Sequence, residues 1–318
     1  MRIAFMGAGG LGGYFGARLC QGGAEVHFIA RGDHLRALQG DGLHIEGPEP
    51  MHIERVSATD DPAQVGPVDF VLLSVKLWDT EAALEQMRPM VGRDTAIISF
   101  QNGVLKDRYL RDAYDAAQIM AGLGYVAATI DRPGVIRQTG AMQRLIFGEF
   151  DGSRSPRGEA LLEACLAGGI NAKLSENIQR EIWEKYVFLV GLSATTATIR
   201  KPIGPIRENP QTRALLHDLM REVVAVGRAQ GVELAEDYAD TAMGIADGVA
   251  EDMFASMYHD LARGNPLEVR WLSGGVVELG KPEGVPTPLN RAVADILTLH
   301  AAGTARLLEN PPLLDRAD

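Results

Sequence analysis

The opening of the chain constrains its fold more than any other stretch. An apolar run, Arg2-Ile3-Ala4-Phe5-Met6, leads into Gly7-Ala8-Gly9-Gly10-Leu11-Gly12. Tyr14 to Cys20 then reads as an amphipathic helix, and Glu25-Val26-His27-Phe28-Ile29-Ala30 as a second strand. Strand, glycine-rich turn, helix and strand form a βαβ unit whose turn can hold a dinucleotide pyrophosphate. Gly7 allows the tight turn, Gly9 leaves room for the phosphates, and Gly12 lets helix and strand pack closely. The free N–H groups at the helix start attract the anion. The alternative is a glycine turn with nothing bound.

The end of the second strand indicates which dinucleotide. NAD-binding units place Asp or Glu there for the ribose 2′-hydroxyl, whereas this chain has Ala30-Arg31. A carboxylate would repel a 2′-phosphate and a guanidinium would pair with it, so the cofactor reads as NADPH/NADP+. The competing reading of Arg31 is an ordinary solvated arginine.

The length of 318 residues suits two domains and a sizeable core. A net charge of −11 argues against a general nucleic-acid or anionic-membrane surface, so an anionic ligand needs a local positive site. Cys20 and Cys165 read as small core residues, which suits a reducing cytoplasm, the expected location. No CxxC or HExxH spacing occurs, so no metal site is expected. Met1-Arg2-Ile3 is not expected to begin a signal peptide, and no segment approaches the ~20 apolar residues of a membrane helix.

The first half alternates strand and helix signals. A short helix is expected at Asp33–Gln39, extended pieces at Leu43–Ile45 and His52–Ser57, and a buried parallel strand at Asp69–Val75. Thr80–Met90 reads as helix and Ala96–Phe100 as strand, while Val135–Gln138 and Arg144–Phe150 suggest a hairpin about Gly140. Beyond Leu174 strand signals vanish. Ile182–Ala197, Thr212–Gln230, Tyr238–Arg263, Leu267–Leu279 and Leu289–Leu308 have helical periodicity, and the tail from Glu309 is expected to fray. The fold class is therefore α/β: an N-terminal Rossmann-type dinucleotide domain, 1–175, followed by an all-helical domain, 176–318, expected to bind substrate and to offer a surface for a homodimer.

Several pieces in order resemble the ketopantoate reductase (2-dehydropantoate 2-reductase) family across nearly the whole chain. They are Gly7 to Gly12, Ala30-Arg31, Val75-Lys76, Gln101-Asn102-Gly103, Trp183-Glu184-Lys185, Ser256-Met257, Leu267-Glu268 and Gly284-Val285-Pro286-Thr287-Pro288. The resemblance implies reduction of the ketone of a small 2-keto acid with NADPH, by default ketopantoate to pantoate in pantothenate biosynthesis. Hydride delivery builds negative charge on the carbonyl oxygen, so a proton donor must stand beside it. The resemblance gives that role to Lys185, which would otherwise read as a solvated helix lysine beside Glu184. It makes Glu268 a second catalytic candidate that orients the lysine or contacts cofactor. Gly7, Ala8, Gly9, Gly10, Leu11, Gly12, Arg31, Lys76, Asn102 and Ala127 are the other cofactor candidates. Asn102, Lys185, Ser193 and Ser256 are the substrate candidates.

Two expectations concern geometry. Ser256 and Glu268 would be about 18 Å apart on one continuous helix, so a fold-back at Gly264-Asn265-Pro266 is expected, with Asn265 capping a new helix. Glu268 then occupies the capping-box position, which explains a glutamate there without function. The chain also departs from the family pattern, which leaves open a less polar carbonyl acid as substrate, or a non-catalytic NADPH-binding sensor on the same fold. Leu189 and Ser193 stand where the family carries asparagines after its lysine, Ile203 where it has a polar contact, and Arg270 and Ser273 where it has aspartate and asparagine. Arg270 reads as a surface arginine. His217-Asp218 and His259-Asp260 read as helix-surface pairs.

Overall fold

In the computed structural model, which describes residues 1–304, the opening run forms β1 (Arg2–Met6). Nine strands follow: β2 (Glu25–Ile29), β3 (Leu43–Glu46), β4 (Met51–Ile53), β5 (Ser57–Thr59), β6 (Phe70–Leu73), β7 (Ala96–Ser99), β8 (Ile119–Arg132), β9 (Val135–Gly148) and β10 (Ala172–Leu174). They make one sheet in the order β4-β3-β9-β8-β7-β6-β1-β2-β5, with β10 beside β9. β1, β2, β5, β6, β7 and β8 run parallel, so the ends of the apolar strands emerge along one edge. Helices α1 (Gly10–Gln21), α2 (Gly32–Asp41), α3 (Thr80–Gln86), α4 (Lys106–Ala113) and α5 (Pro156–Ala167) complete this unit, which comprises residues 1–102 and 106–178. Its core lies on both faces of the sheet, as the continuous apolar runs of β1, β6 and β7 require.

Three local expectations are corrected. α1 is not amphipathic: Gly12 through Leu19 are all buried, including Arg18, which donates to Tyr14 Oη and to Glu49. The helix expected over Thr80–Met90 stops at Gln86 and gives way to a 3₁₀ turn, Arg88–Met90, because Pro89 has no N–H to continue it. The hairpin is not centred on Gly140. β8 and β9 pair antiparallel around Pro133-Gly134, and Gly140, with φ +80°, lies in an irregularity where residues 139–142 face the single residue Ala127.

Residues 103–105 and 179 onward form the second unit. Its helices are α6 (Ile178–Ile199), α7 (Ile203–Glu208), α8 (Pro210–Ala229), α9 (Tyr238–Gly248), α10 (Ser256–Arg263), α11 (Ser273–Gly280) and α12 (Pro288–Leu297). They enclose a core built on Trp183, Tyr186, Leu216, Met220 and Val223. The periodicity over Tyr238–Arg263 covers two helices. α9 ends at Gly248, where Arg207 Nη1 donates to the carbonyls of Ala246, Asp247 and Val249. The connecting segment then accepts the N–H groups of Ile203 and Gly204 on Met253 O and Glu251 O. Those competing hydrogen bonds end the helix that the pattern alone would continue. Leu267–Leu279 is likewise divided, into a 3₁₀ turn, Glu268–Arg270, and α11. α12 stops at Leu297 before a 3₁₀ turn, and the rest of the expected helix beyond 304 lies outside the described residues, as does the expected fraying of 309–318. His217 pairs with Asp240 on α9 rather than with its neighbour Asp218, and His259 packs edge-on against Phe254 and Tyr258.

Candidate active site

The glycine-rich turn is built by backbone geometry that only glycine permits at three of its positions, Gly7, Gly10 and Gly12. Gly7 has φ +105°, a conformation L side chains rarely adopt. A Cβ on Gly12 would strike the Gly7 carbonyl and Ser74 Oγ, which itself donates to Gly7 O at 2.7 Å. Gly10 lies against the Ala128 carbonyl of β8, which brings neighbouring Ala127 to the start of α1. A Cβ on Gly9, by contrast, would meet nothing within 4 Å. α1 begins without a capping side chain, which together with the space beside Gly9 fits a pyrophosphate on its first amides.

His34 is a residue that the sequence gave no reason to single out. Gly134 N donates to its Nδ1 at 3.1 Å, so Nδ1 carries no proton and Nε2–H donates to Ala8 O at 2.9 Å. The ring thus ties the glycine turn to the β8–β9 hairpin. Burial holds its pKa below the usual histidine value and favours this neutral form. Its one signal in sequence is its place three residues after Arg31, in the first turn of α2.

The neighbouring strand ends are linked through Gln101. Its amide donates to Val75 O at 3.0 Å and Thr80 Oγ1 at 2.8 Å, and its Oε1 accepts from Ser99 Oγ at 3.0 Å. This buried side chain fastens the turn carrying Asn102 to the turn carrying Lys76. Asn102 is half-buried and lies three residues past β7 rather than at its end. Lys76 is exposed, with Nζ 5.4 Å from the centroid of the Trp78 ring. Arg31 reaches the same turn, with Nη2 2.9 Å from Asp79 Oδ2. Sheet order β8-β7-β6-β1-β2 sets Ala127, Asn102, Lys76, the glycine turn and Arg31 along one edge of the unit.

Lys106 is wholly buried between two of these strands. Nζ donates to Ser99 O at 2.8 Å and to Gly122 O. Desolvation pulls its pKa down to about 8, opposed by the charge of Asp107, whose buried Oδ1 has no hydrogen-bond partner. Arg111 in turn acts on Asp107. The unfolded lysine titrates near 10.5, so between pH 8 and 10.5 unfolding takes up a proton and stability rises with pH. Below pH 8 the native state bears the full cost of the buried ammonium. Relative to Lys106→Met, the wild type is expected to gain about 2 kcal/mol between pH 7 and pH 9.5. Urea unfolding of both proteins at the two pH values checks this; an unchanged difference would refute it.

In the helical unit, Lys185 lies on α6, half-exposed, beside Tyr186, whose Oη donates to Trp271 O at 3.0 Å and Leu272 O at 2.7 Å. That link fastens the segment after Glu268 to α6. Glu184 pairs with Arg180 at 2.7 Å, which makes it a partner for the arginine of the preceding turn. Glu268 is 6% exposed and opens a 3₁₀ turn. The capping-box reading is therefore corrected: no α-helix begins at Pro266, and Asn265 Nδ2 donates instead to Asp260 Oδ1. The chain does turn there, at Gly264 in the left-handed conformation. Ser256 is exposed and begins α10, and the preceding Ala255 N donates to Thr196 Oγ1 on α6 at 3.4 Å. The two attachments lie about 15 Å apart along α6.

Ser193 is 1% exposed, and its Oγ is buried without a partner. Ser273 Oγ shares that condition. Ile203 is wholly buried in the core, Leu189 is half-buried against it, and Arg270 is exposed over the Trp271 ring. Just beyond the segment 284–288, Glu222 accepts Leu289 N, Asn290 N and Asn290 Nδ2, seating the start of α12. Cys20 and Cys165 are free thiols, and burial pushes them up to about 11 and about 12. Among the described residues no cluster of potential metal ligands occurs, and no helix is long and apolar enough to cross a membrane.

Comparison with known proteins decides the family. The profile described as ketopantoate reductase PanE/ApbA matches residues 3–152, and its C-terminal counterpart matches 177–301. The chain belongs to the ketopantoate reductase family. A 2-dehydropantoate 2-reductase of Mesorhizobium japonicum is 32% identical, with 92% of this chain and 95% of that one covered. One from Halobacterium salinarum is 30% identical over 94% and 98%. The solved 2-dehydropantoate 2-reductase of Geobacter metallireducens superposes with a TM-score of 0.87 at 30% identity, covering 93% and 99%. A D-mandelate dehydrogenase structure with NADH, 20% identical with a TM-score of 0.85 and coverage of 95% and 98%, shares the fold. As a ketopantoate reductase family member the protein is an NADP-dependent oxidoreductase acting on a CH–OH group.

Proposed function

We propose that the protein reduces a small 2-keto acid to the 2-hydroxy acid with NADPH, with ketopantoate as the default substrate and pantoate, a pantothenate precursor, as product. The observation that carries this reading is the family match over both units, supported by Lys185 in the run Trp183-Glu184-Lys185 that resembles the family's. When bound, NADPH supplies the hydride. The turn from Gly7 to Gly12 holds the pyrophosphate on the amides of α1, while Arg31 and Lys76 neutralise the 2′-phosphate. Asn102 hydrogen-bonds nicotinamide ribose and substrate. Lys185 donates its proton to the oxygen that gains charge, Glu268 orients that ammonium, and Ser256 and Ser193 contact the substrate. An acidic surface and free thiols suit a small-molecule enzyme of the reducing cytoplasm, with no nucleic-acid or membrane partner.

Leu189 and Ile203 favour a second reading of the substrate, a less hydroxylated keto acid. Each lost hydrogen-bonding partner costs about 1–3 kcal/mol in a buried site. Loss of NADPH absorbance with ketopantoate, compared with NADH and with apolar 2-keto acids, separates the readings. The default predicts the highest kcat/KM with ketopantoate and NADPH. An optimum at an apolar keto acid supports the second reading, and tight NADPH binding with no turnover on any of them refutes both.

A further inference from the structure

The turn after β6 carries a carboxylate where a reader of an anionic ligand has least use for one. Arg31, at the end of β2, is 79% exposed at its side chain, and its Nη2 donates to Asp79 Oδ2 at 2.9 Å. Asp79 occupies the N-cap position of α3, where an aspartate ordinarily accepts from the amides two or three residues on. Here it makes no such cap hydrogen bond. Its carboxylate instead accepts from the Arg31 guanidinium, which comes from a different strand end. The other acid beside Arg31, Asp33, pairs with Arg36 on its own helix. The turn that carries Asp79 also carries a cation, Lys76, three residues ahead of it and set against Trp78.

We propose that Asp79 is a cofactor-selectivity residue: its carboxylate competes with the 2′-phosphate of NADPH for Arg31 and narrows the preference for NADPH over NADH. The inference rests on the reading of Arg31 as the 2′-phosphate partner. A phosphate seated on that guanidinium comes within about 5–6 Å of the Asp79 carboxylate, so two like charges share one arginine. An exposed ion pair of this kind contributes little to stability, so its removal leaves the fold intact while changing what Arg31 offers a ligand. A cofactor with a bare 2′-hydroxyl feels none of this competition, since it brings no charge to the arginine.

The test uses the full-length protein and two fragments, 2′,5′-ADP and 5′-AMP, with binding measured by calorimetry. Asp79→Asn is expected to tighten 2′,5′-ADP about three- to tenfold and to leave 5′-AMP unchanged. Asp79→Ser should do the same, which guards against an effect peculiar to asparagine. Weaker binding of 2′,5′-ADP by either variant overturns the proposal and makes Asp79 a support that presents the arginine. Equal shifts for both fragments, or none, overturn it also. Arg31→Ala distinguishes failure of the underlying reading. It should weaken 2′,5′-ADP alone, and if it changes neither fragment, the assignment of Arg31 to the 2′-phosphate falls and the proposal with it.

Discussion

Lys185→Ala is expected to lower kcat about a hundred- to ten-thousand-fold while leaving the dissociation constant for NADPH within a few-fold of wild type. The magnitude is that of losing a positioned proton donor. The selectivity follows from location: the glycine turn, Arg31 and Lys76 all belong to the first unit, and Lys185 to a helix of the second. Lys185 is half-exposed on α6, and its neighbours Trp183, Tyr186 and Val187 carry the packing, so alanine keeps the helix and its core. Stopped-flow turnover with fluorescence titration of NADPH reads both quantities. A variant that keeps kcat within a few-fold would remove Lys185 from the chemistry, and a matching loss of NADPH binding would make it a cofactor contact instead.

The second large effect separates two glycines of one turn. Gly12→Ala is expected to cost about 1–3 kcal/mol of stability and to abolish NADPH binding, because its Cβ collides with the Gly7 carbonyl and Ser74 Oγ. Gly9→Ala is expected to leave stability unchanged, since its backbone is extended at φ −74° and its Cβ enters open space. NADPH binding by Gly9→Ala should nonetheless fall at least about tenfold if, as proposed, the pyrophosphate occupies that space. Thermal melting without ligand and NADPH titration of the two variants give the comparison. Normal NADPH affinity in Gly9→Ala would show that the phosphates do not pass there.

How far the sequence could be read depended on how local each feature was. β1, the glycine turn, α1 and β2 are adjacent in sequence, and their pattern sufficed. The β8–β9 hairpin was misread because Gly140 carries a genuine turn conformation that is spent on an irregularity inside a 14-residue strand. The split of Tyr238–Arg263 was hidden for a related reason: the bonds that end α9 come from Arg207 and the start of α7, some forty residues earlier. In the candidate site, the glycine turn and Arg31 follow from motif and spacing, while the roles proposed for Lys185, Glu268 and Ser256 follow from the family resemblance. The supporting contacts of His34, Gln101 and Lys106 do not, even though Gln101 belongs to a recognised motif, because each acts on a backbone carbonyl elsewhere in the unit. Nothing in a side chain's identity announces such a partner.

The seat of α12 on Glu222 makes the start of one helix depend on a distant one. One carboxylate 67 residues upstream satisfies the first amides of the helix and the side chain of Asn290. Until α8 is in place those donors have no acceptor of their own, and a ten-residue helix is too short to persist alone in water. The start of α12 therefore depends on α8 for its acceptor, so loss of the Glu222 carboxylate is expected to loosen this end of the helix.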